Sequence, residues 1–332
     1  MRFFIAAILA GLTVVPLGAQ TSESIVVERI IIDAYVVDLV GNPIPALTPA
    51  DFRLRIDGKP AEIEAVDWVG TTMMTGDSSS NAEMIPPPIP AAEPRESVTA
   101  GPEKPEGRLI VLFFQTDFGR ANQRIVGQMA MIHYSQGFLE TVRPEDHVAV
   151  LQFDSHLKLL QDFTDDMDAV RIAIRKSLFI DNDTLWMDGG QPPIGISEEA
   201  ARKATRPEQA LALIGNGLRD FPGAKSLIFF GWGVGYMTRG GVLMDRSYPQ
   251  AVAALAESRT AVFALDMGGE SHTLALGLSK VATDTGGWYQ STYYFPKFAI
   301  EKLERTISGH YEIIISRQAS GAGVHEISLE LR

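Results

Sequence analysis

Four predominantly apolar runs constrain this chain more than any other feature. They are "LIVLFF" at 109–114, "HVAVLQF" at 147–153, "KSLIFFG" at 225–231 and "AVFALDM" at 261–267. Each is short, rich in branched or aromatic residues, and lacks the polar alternation of a strand with one wet face. Such runs read as strands covered on both sides. Helical patterns lie between them. Ile125, Met129, Ile132, Gln136 and Leu139 fall at helical spacing, which predicts an amphipathic helix over 120–142. Further helices are expected from Asp165 to Ser177, capped by Thr164 and opened by acids that suit the helix dipole, and over 207–218, 249–257, 274–283 and 298–306. "LKLLQDF" reads as a hairpin partner of 147–153, and "GGWYQST" and "HYEIIISR" read as later strands. Strand–helix alternation of this kind implies an α/β domain: a mostly parallel sheet with helices on both faces.

The flanks differ from this core. Residues 24–69 form a small β-rich unit. It has a Val/Ile-rich strand, a Gly41-Asn42-Pro43 turn, a short helical turn with Thr48 as N-cap and Pro49 in first position, and a hairpin about Asp57-Gly58. Residues 70–106 hold seven of the nineteen prolines and few large apolar groups, so they read as a Pro/Ser-rich linker. The domain at 107–332 ends on a Gly-rich turn, "ASGAG", and an alternating "HEISLELR", expected to pair back on the preceding strand as a C-terminal β-hairpin.

Residues 1–20 combine Arg2, the apolar run from Phe3 to Val15, Pro16 and small residues before Gln20. This is the pattern of a secretory signal peptide. The run is shorter than the roughly 20 apolar residues a membrane span needs. No later stretch reaches that length, so no integral span is expected after signal removal. With no cysteine, disulfides and thiolate zinc sites are excluded. A formal net charge of −12 without a basic run argues against nucleic acid as a partner.

Three stretches resemble the bacterial von Willebrand factor A-related (VWFA-related) family of exported proteins. "DAYVVDLVGNPIPALTPADFRLRIDGKPAEI" is similar to that family's N-terminal segment. "HVAVLQFDSHLKLLQDFTDDMDAVRIAI" resembles its second and third strands with the following helix. "AVFALDMGG", "LSKVATDTGGWYQ" and "LERTISGHYEIIIS" resemble its C-terminal half. The resemblance implies a von Willebrand A-like domain. It also raises the question of a metal-ion-dependent adhesion site, whose first loop reads D-x-S-x-S in that family, with a Thr from a second loop and an Asp after a later strand. Hydroxyl and carboxylate oxygens of that kind suit Mg²⁺.

The chain departs from that pattern. Gln115 stands in the first Asp position, Asp117 and Gly119 stand in the Ser positions, and Gly231-Trp232-Gly233 replaces the later Asp. Thr184 in "DNDTLWMDGG" is a loose match to the middle loop. Asp117 and Thr184 alone make a poor cation site, so no metal and no cofactor is expected, and Asp117 is read as capping the helix after it. "GWGVG" is neither a dinucleotide nor a Walker fingerprint, and no G-x-S-x-G or H-E-x-x-H occurs.

The expectation is therefore a non-catalytic interaction or adhesion-type module with a degenerate metal site. It would be exported to the periplasm, the outer surface or the medium, and would bind a protein or cell-surface ligand through loops 115–121, 181–190 and 231–240. Gln115, Asp117, Thr184, Trp232 and Tyr236 are the contact candidates. A hydrolase using an acid pair such as Asp117 and Asp154 is the alternative, because neighbouring carboxylates can divide acid and base roles. A structural component of the envelope is the third reading.

Overall fold

A computed structural model describes residues 27–70, 107–117, 121–179, 186–187, 194–268, 272–318 and 325–332. The expected signal peptide and nearly all of the expected linker lie outside the described residues. The first elements are β1 (Val27–Ala34), a 3-10 turn (Pro49–Asp51), β2 (Phe52–Ile56), β3 (Lys59–Ala61) and β4 (Ile63–Gly70). Asp57 and Gly58, both at positive φ, turn β2 into β3. The Asp51 carboxylate takes the Thr48 amide and hydroxyl at 2.7 Å and closes the short helical turn.

The larger domain runs β5 (Leu109–Gln115), α1 (Ala121–Leu139), β6 (His147–Phe153), β7 (Leu157–Thr164), α2 (Met167–Phe179), α3 (Glu198–Lys203), α4 (Pro207–Leu218) and β8 (Lys225–Gly231). It continues with β9 (Tyr236–Thr238), β10 (Gly241–Leu243), α5 (Tyr248–Glu257), β11 (Thr260–Asp266), α6 (Ala275–Asp284), β12 (Tyr289–Ser291) and α7 (Pro296–Thr306). Six strands form one sheet in the order β12-β11-β8-β5-β6-β7, all parallel except β7, which is the hairpin partner of β6. Side chains alternate between two buried faces. Val111, Phe113, Leu151 and Phe229 pack under α3 to α6, while Ile110, Leu112, Phe114, Phe230 and Phe263 pack under α1, α2 and α7. Both faces are dry, which is why the strands read as continuous apolar runs.

Phenylalanines fix the register at the centre. Phe113 lies opposite Phe229 and Phe114 opposite Phe230, each pair with ring centroids 4.8 Å apart. Sliding either strand by one residue would put every side chain on the wrong face. This register carries the ends of β5 and β8 side by side and so places Gln115 beside Gly231.

The chain ends with β13 (Gly309–Gln318) and β14 (Ile327–Leu331). Here the structure corrects the expected C-terminal hairpin. β13 inserts between β1 and β4, and β14 pairs with β2 in a sheet β14-β2-β3. The reason lies in side-chain matching. The run Ile313–Ile315 aligns with Ile30–Ile32, and Glu330 of β14 lies opposite Arg53 of β2. The small β unit is thus completed by the end of the chain. Its core gathers Ala34, Phe52, Leu54, Tyr311, Ile313 and Ile315. The Tyr311 hydroxyl donates to Ile44 O at 2.7 Å and accepts from Leu47 N at 2.9 Å.

A charge cluster clamps this unit to the amino ends of the parallel strands. Arg259, just before β11, donates to Asp33 of β1 (2.8 Å) and to Glu312 of β13 (2.8 Å). His310 Nε2 lies 3.5 Å from Asp33. Beside it, Lys225 at the start of β8 donates to Gly223 O (2.7 Å) and Ser258 O (2.6 Å). Burial, with Arg259 nearby, pulls the Lys225 ammonium down to about 8.

Candidate functional site

Ligand sites in open α/β sheets sit outside the carboxyl ends of the strands. Five strand ends of this sheet are joined there by side chains. Gln115, at the end of β5, is 2% exposed. Its Nε2 donates to Gly233 O at 2.9 Å, and its Oε1 accepts from Trp232 N at 3.1 Å and Gly233 N at 3.3 Å. One amide therefore satisfies three backbone groups of the β8 loop. The flanking glycines make room for it. A Cβ on Gly231 would sit 2.8 Å from the Phe229 ring and 3.1 Å from Gln115 Oε1, and one on Gly233 would sit 2.5 Å from Leu274. The G-W-G sequence is thus a close-packing device, not a phosphate loop.

Trp232 turns back over β5. Its indole N–H donates to Asp117 Oδ1 at 3.0 Å. Burial pushes the Asp117 carboxyl up to about 6, with Asp154 adding to the shift and the Trp232 bond opposing it. α1 is described from Ala121, and residues 118–120, where the amides of a cap by Asp117 would stand, lie outside the described residues. Asp154, after β6, does come near Asp117, but its carboxylate is committed elsewhere. It accepts from the Ser155 hydroxyl at 3.1 Å and is ion-paired to Lys158 of β7, whose side chain is wholly buried. Burial works against the Asp154 charge, yet those bonds hold its carboxyl below the usual range.

Under α1, Gln152 donates to Thr116 Oγ1 (2.8 Å) and Ser177 O (2.7 Å), tying β5 and β6 to α2. At the end of β11, Asp266 is 2% exposed and fully engaged. It accepts from Gly268 N (2.8 Å), the Tyr289 hydroxyl (2.6 Å) and His272 Nε2 (2.9 Å). The bond to Asp266 holds the His272 imidazolium above its ordinary range. Burial and then the Asp266 bond push the Tyr289 phenol up. Composition and motif spacing did not single out this trio. The signal was an acid at the end of an apolar strand with a histidine six residues on.

Several large apolar side chains are exposed on the rim. Between β8 and α5 the chain makes a short β9–β10 hairpin. Tyr236, Met237 and Leu243 of the hairpin, Leu276 at the start of α6, and Tyr293, Tyr294 and Phe295 after β12 are all exposed, from 43% for Tyr236 to 70% for Phe295. Tyr236 is braced for this: the Arg206 guanidinium lies 3.7 Å above its ring and its hydroxyl donates to Asp245 at 3.3 Å.

Among the expected contact residues, Gln115, Asp117 and Trp232 form one cluster, and Tyr236 stands four residues beyond Trp232 on the same connection. Thr184 lies outside the described residues. Among the described residues, one group of three could offer ligand atoms to a metal: Asp33, His310 and Glu312. It sits at the opposite end of the sheet, where the Arg259 guanidinium already supplies the positive charge.

Strand order, the single antiparallel strand and helices on both faces decide the fold. The domain is von Willebrand A-like. No protein-family model matches the chain, and no curated protein matches it. Solved structures similar to it include the von Willebrand factor type A protein from Catenulispora acidiphila (13% identity, 79% of this chain and 50% of that one, TM-score 0.40). They also include the BatB protein from Bacteroides thetaiotaomicron (14%, 61% and 98%, 0.39). A third is the PilB minor pilin from Streptococcus sanguinis, as a D319A mutant (13%, 63% and 62%, 0.38). The chain spans about three fifths of the pilin and half of the Catenulispora protein. At these identities the likeness concerns the fold, and the von Willebrand A-like assignment stands on the topology of this chain.

Proposed function

We propose that this chain is an exported, non-catalytic binding module that engages a protein or a cell-surface ligand through the carboxyl rim of its von Willebrand A-like domain. The observation that carries the reading is the set of seven exposed large apolar side chains on the connections after β8, β11 and β12. A soluble protein seldom leaves such a set uncovered unless it meets a partner. Aromatic anchors on loops held by a rigid sheet are also a frequent form of contact energy. The Asp117–Asp154 pair favours a hydrolase less. Its two carboxyls are pushed apart as acid–base pairs are, but Lys158 neutralises one and the Trp232 indole covers the other. No helix among the described residues is long and apolar enough to cross a membrane.

Two measurements test this reading. A photo-crosslinking residue placed at Tyr294 or Met237 in producing cells is expected to give a discrete adduct, while one at Ile172, exposed on α2, gives none. Equal labelling at all three sites, or none at the rim, would remove the rim as a binding surface. N-terminal sequencing of the mature protein is expected to begin at Gln20. A chain retaining Met1 would exclude cleavage of the leader.

A further inference from the structure

Two sheet edges of this chain are treated differently. The β7 edge of the central sheet is covered: Met187 N donates to Leu159 O of β7 at 2.8 Å. Strand β14 is an edge of the β14-β2-β3 sheet, and among the described residues no backbone hydrogen bond reaches its outer side. It has no proline, no lysine and no bulge in its register on β2, the devices that blunt an open edge. That register fixes which backbone groups face outward. It carries on to Glu326 opposite Asp57 and Arg332 opposite Asp51, where Glu326 O accepts from Asp57 N and Arg332 N donates to Asp51 O, each at 2.9 Å. Even-numbered residues of β14 therefore turn their amides and carbonyls to β2, and those of Ile327, Leu329 and Leu331 point out from the edge. The side chains of the same three residues share one face. Leu329 packs on the core of the small β unit, while Ile327 and Leu331 are 41% and 49% exposed.

We propose that β14 is a self-pairing edge, through which two copies of this chain join as antiparallel strands about a two-fold axis at Leu329. In that register Leu329 faces the partner's Leu329, Ile327 faces the partner's Leu331, and Ser328 faces the partner's Glu330. The outward amides and carbonyls of 327, 329 and 331 then meet as pairs that exchange both bonds. Charge agrees with the same alignment. Glu326 of each copy faces the partner's Arg332, which gives two opposite-charge pairs. Both residues are exposed, and within one strand they lie about 20 Å apart, too far to pair with each other. A strand of five residues buries little area, so the association is weak and concentration-dependent. It belongs to the small β unit and does not rest on what the rim binds.

The test is sedimentation of the purified protein from low micromolar to near-millimolar concentration. A monomer–dimer equilibrium without larger species is expected. Arg332→Glu sets acid against acid twice and should weaken the dimer by about tenfold, the effect of two lost pairs of this kind. Adding Glu326→Arg restores both pairs with their signs exchanged and should recover most of the dimer. Arg332 also feels the charge of Asp51 in its own chain, which the second change cannot repair, so recovery reads the contact between copies. Leu331→Pro removes an outward amide, leaves the bonds to β2, and should lower the dimer fraction. Urea unfolding of each variant at low concentration checks that the fold is kept. A protein that is monomeric throughout, a dimer indifferent to Arg332→Glu and Leu331→Pro, or a double variant no better than Arg332→Glu would each overturn the pairing. So would open-ended growth, which a contact between β14 and the other open edge, β1, would give.

Discussion

Replacing Arg259 with methionine is expected to destabilise the protein by about 3 kcal/mol, read as a fall in the urea midpoint at neutral pH. Methionine keeps the length of the stem, so the loss isolates the guanidinium. Without it, Asp33 and Glu312 face each other across adjacent strands, each mostly buried and each without the guanidinium that bridges them, while His310 stays 3.5 Å from Asp33. Breaking a buried pair from one side costs about 3–5 kcal/mol, because an uncompensated charge is left behind. The side chains here are 10–22% exposed, which places the effect at the lower end of that range. The exposed Arg29–Glu64 pair is a built-in control: it joins β1 to β4 with side chains 71% and 37% exposed, so Arg29→Met should change almost nothing. A second signature is partial rescue. Adding Asp33→Asn and Glu312→Gln to Arg259→Met removes the facing charges and should recover part of the loss. If Arg259→Met costs no more than Arg29→Met, the cluster is not what joins the small β unit to the sheet.

This clamp shows where sequence reading stops. The central sheet was legible because a strand dry on both faces carries its own signature: Leu109–Gln115 and Lys225–Gly231 are buried at every position. The placement of β13 was not legible. Its isoleucine run is compatible with any apolar neighbour, and the choice of β1 over β14 is made by a matching run nearly three hundred residues away. The β9–β10 hairpin escaped because three-residue strands are too short to show alternation. Lys158 stood in plain view inside "LKLLQDF". Nothing local revealed that its side chain would be wholly buried on Asp154 across a tight turn.

The rim divides in the same way. That Gln115, Asp117 and Trp232 occupy unusual positions could be read from the residues alone. That they touch could not, because the bonds span more than a hundred residues and depend on the Phe113–Phe229 and Phe114–Phe230 register. Tyr236 was named as a contact candidate of the 231–240 loop, while Tyr289, which bonds Asp266, lies in a strand of three residues that offered no functional signal. Local chemistry named the actors on the rim, and tertiary register decided their partners.

Exchanging the Gln115 amide for a carboxyl, in Gln115→Glu, is expected to destabilise the protein by about 2–3 kcal/mol at neutral pH and by under about 1 kcal/mol near pH 4.5. Size and shape are nearly unchanged, so packing is not the cause. An ionised carboxylate can still accept from Trp232 N and Gly233 N, but it cannot donate to Gly233 O, which is left buried against a negative oxygen. Asp117, two residues on in the same loop, adds like-charge repulsion. Both effects oppose ionisation, so the new carboxyl has a folded-state pKa above its unfolded value of about 4.3. Its contribution is therefore complete at low pH, where the protonated acid donates to Gly233 O as the amide does. It is lost as pH rises through the raised value. The measurement is the difference in unfolding free energy between wild type and variant at the two pH values. Taking the difference cancels the titration of Asp117 to first order. A penalty equal at both pH values would mean that the Gln115–Gly233 bond contributes little and that backbone packing alone holds the β8 loop. A penalty present at neutral pH and nearly absent in acid would establish the amide as the tie between the central strands at the rim.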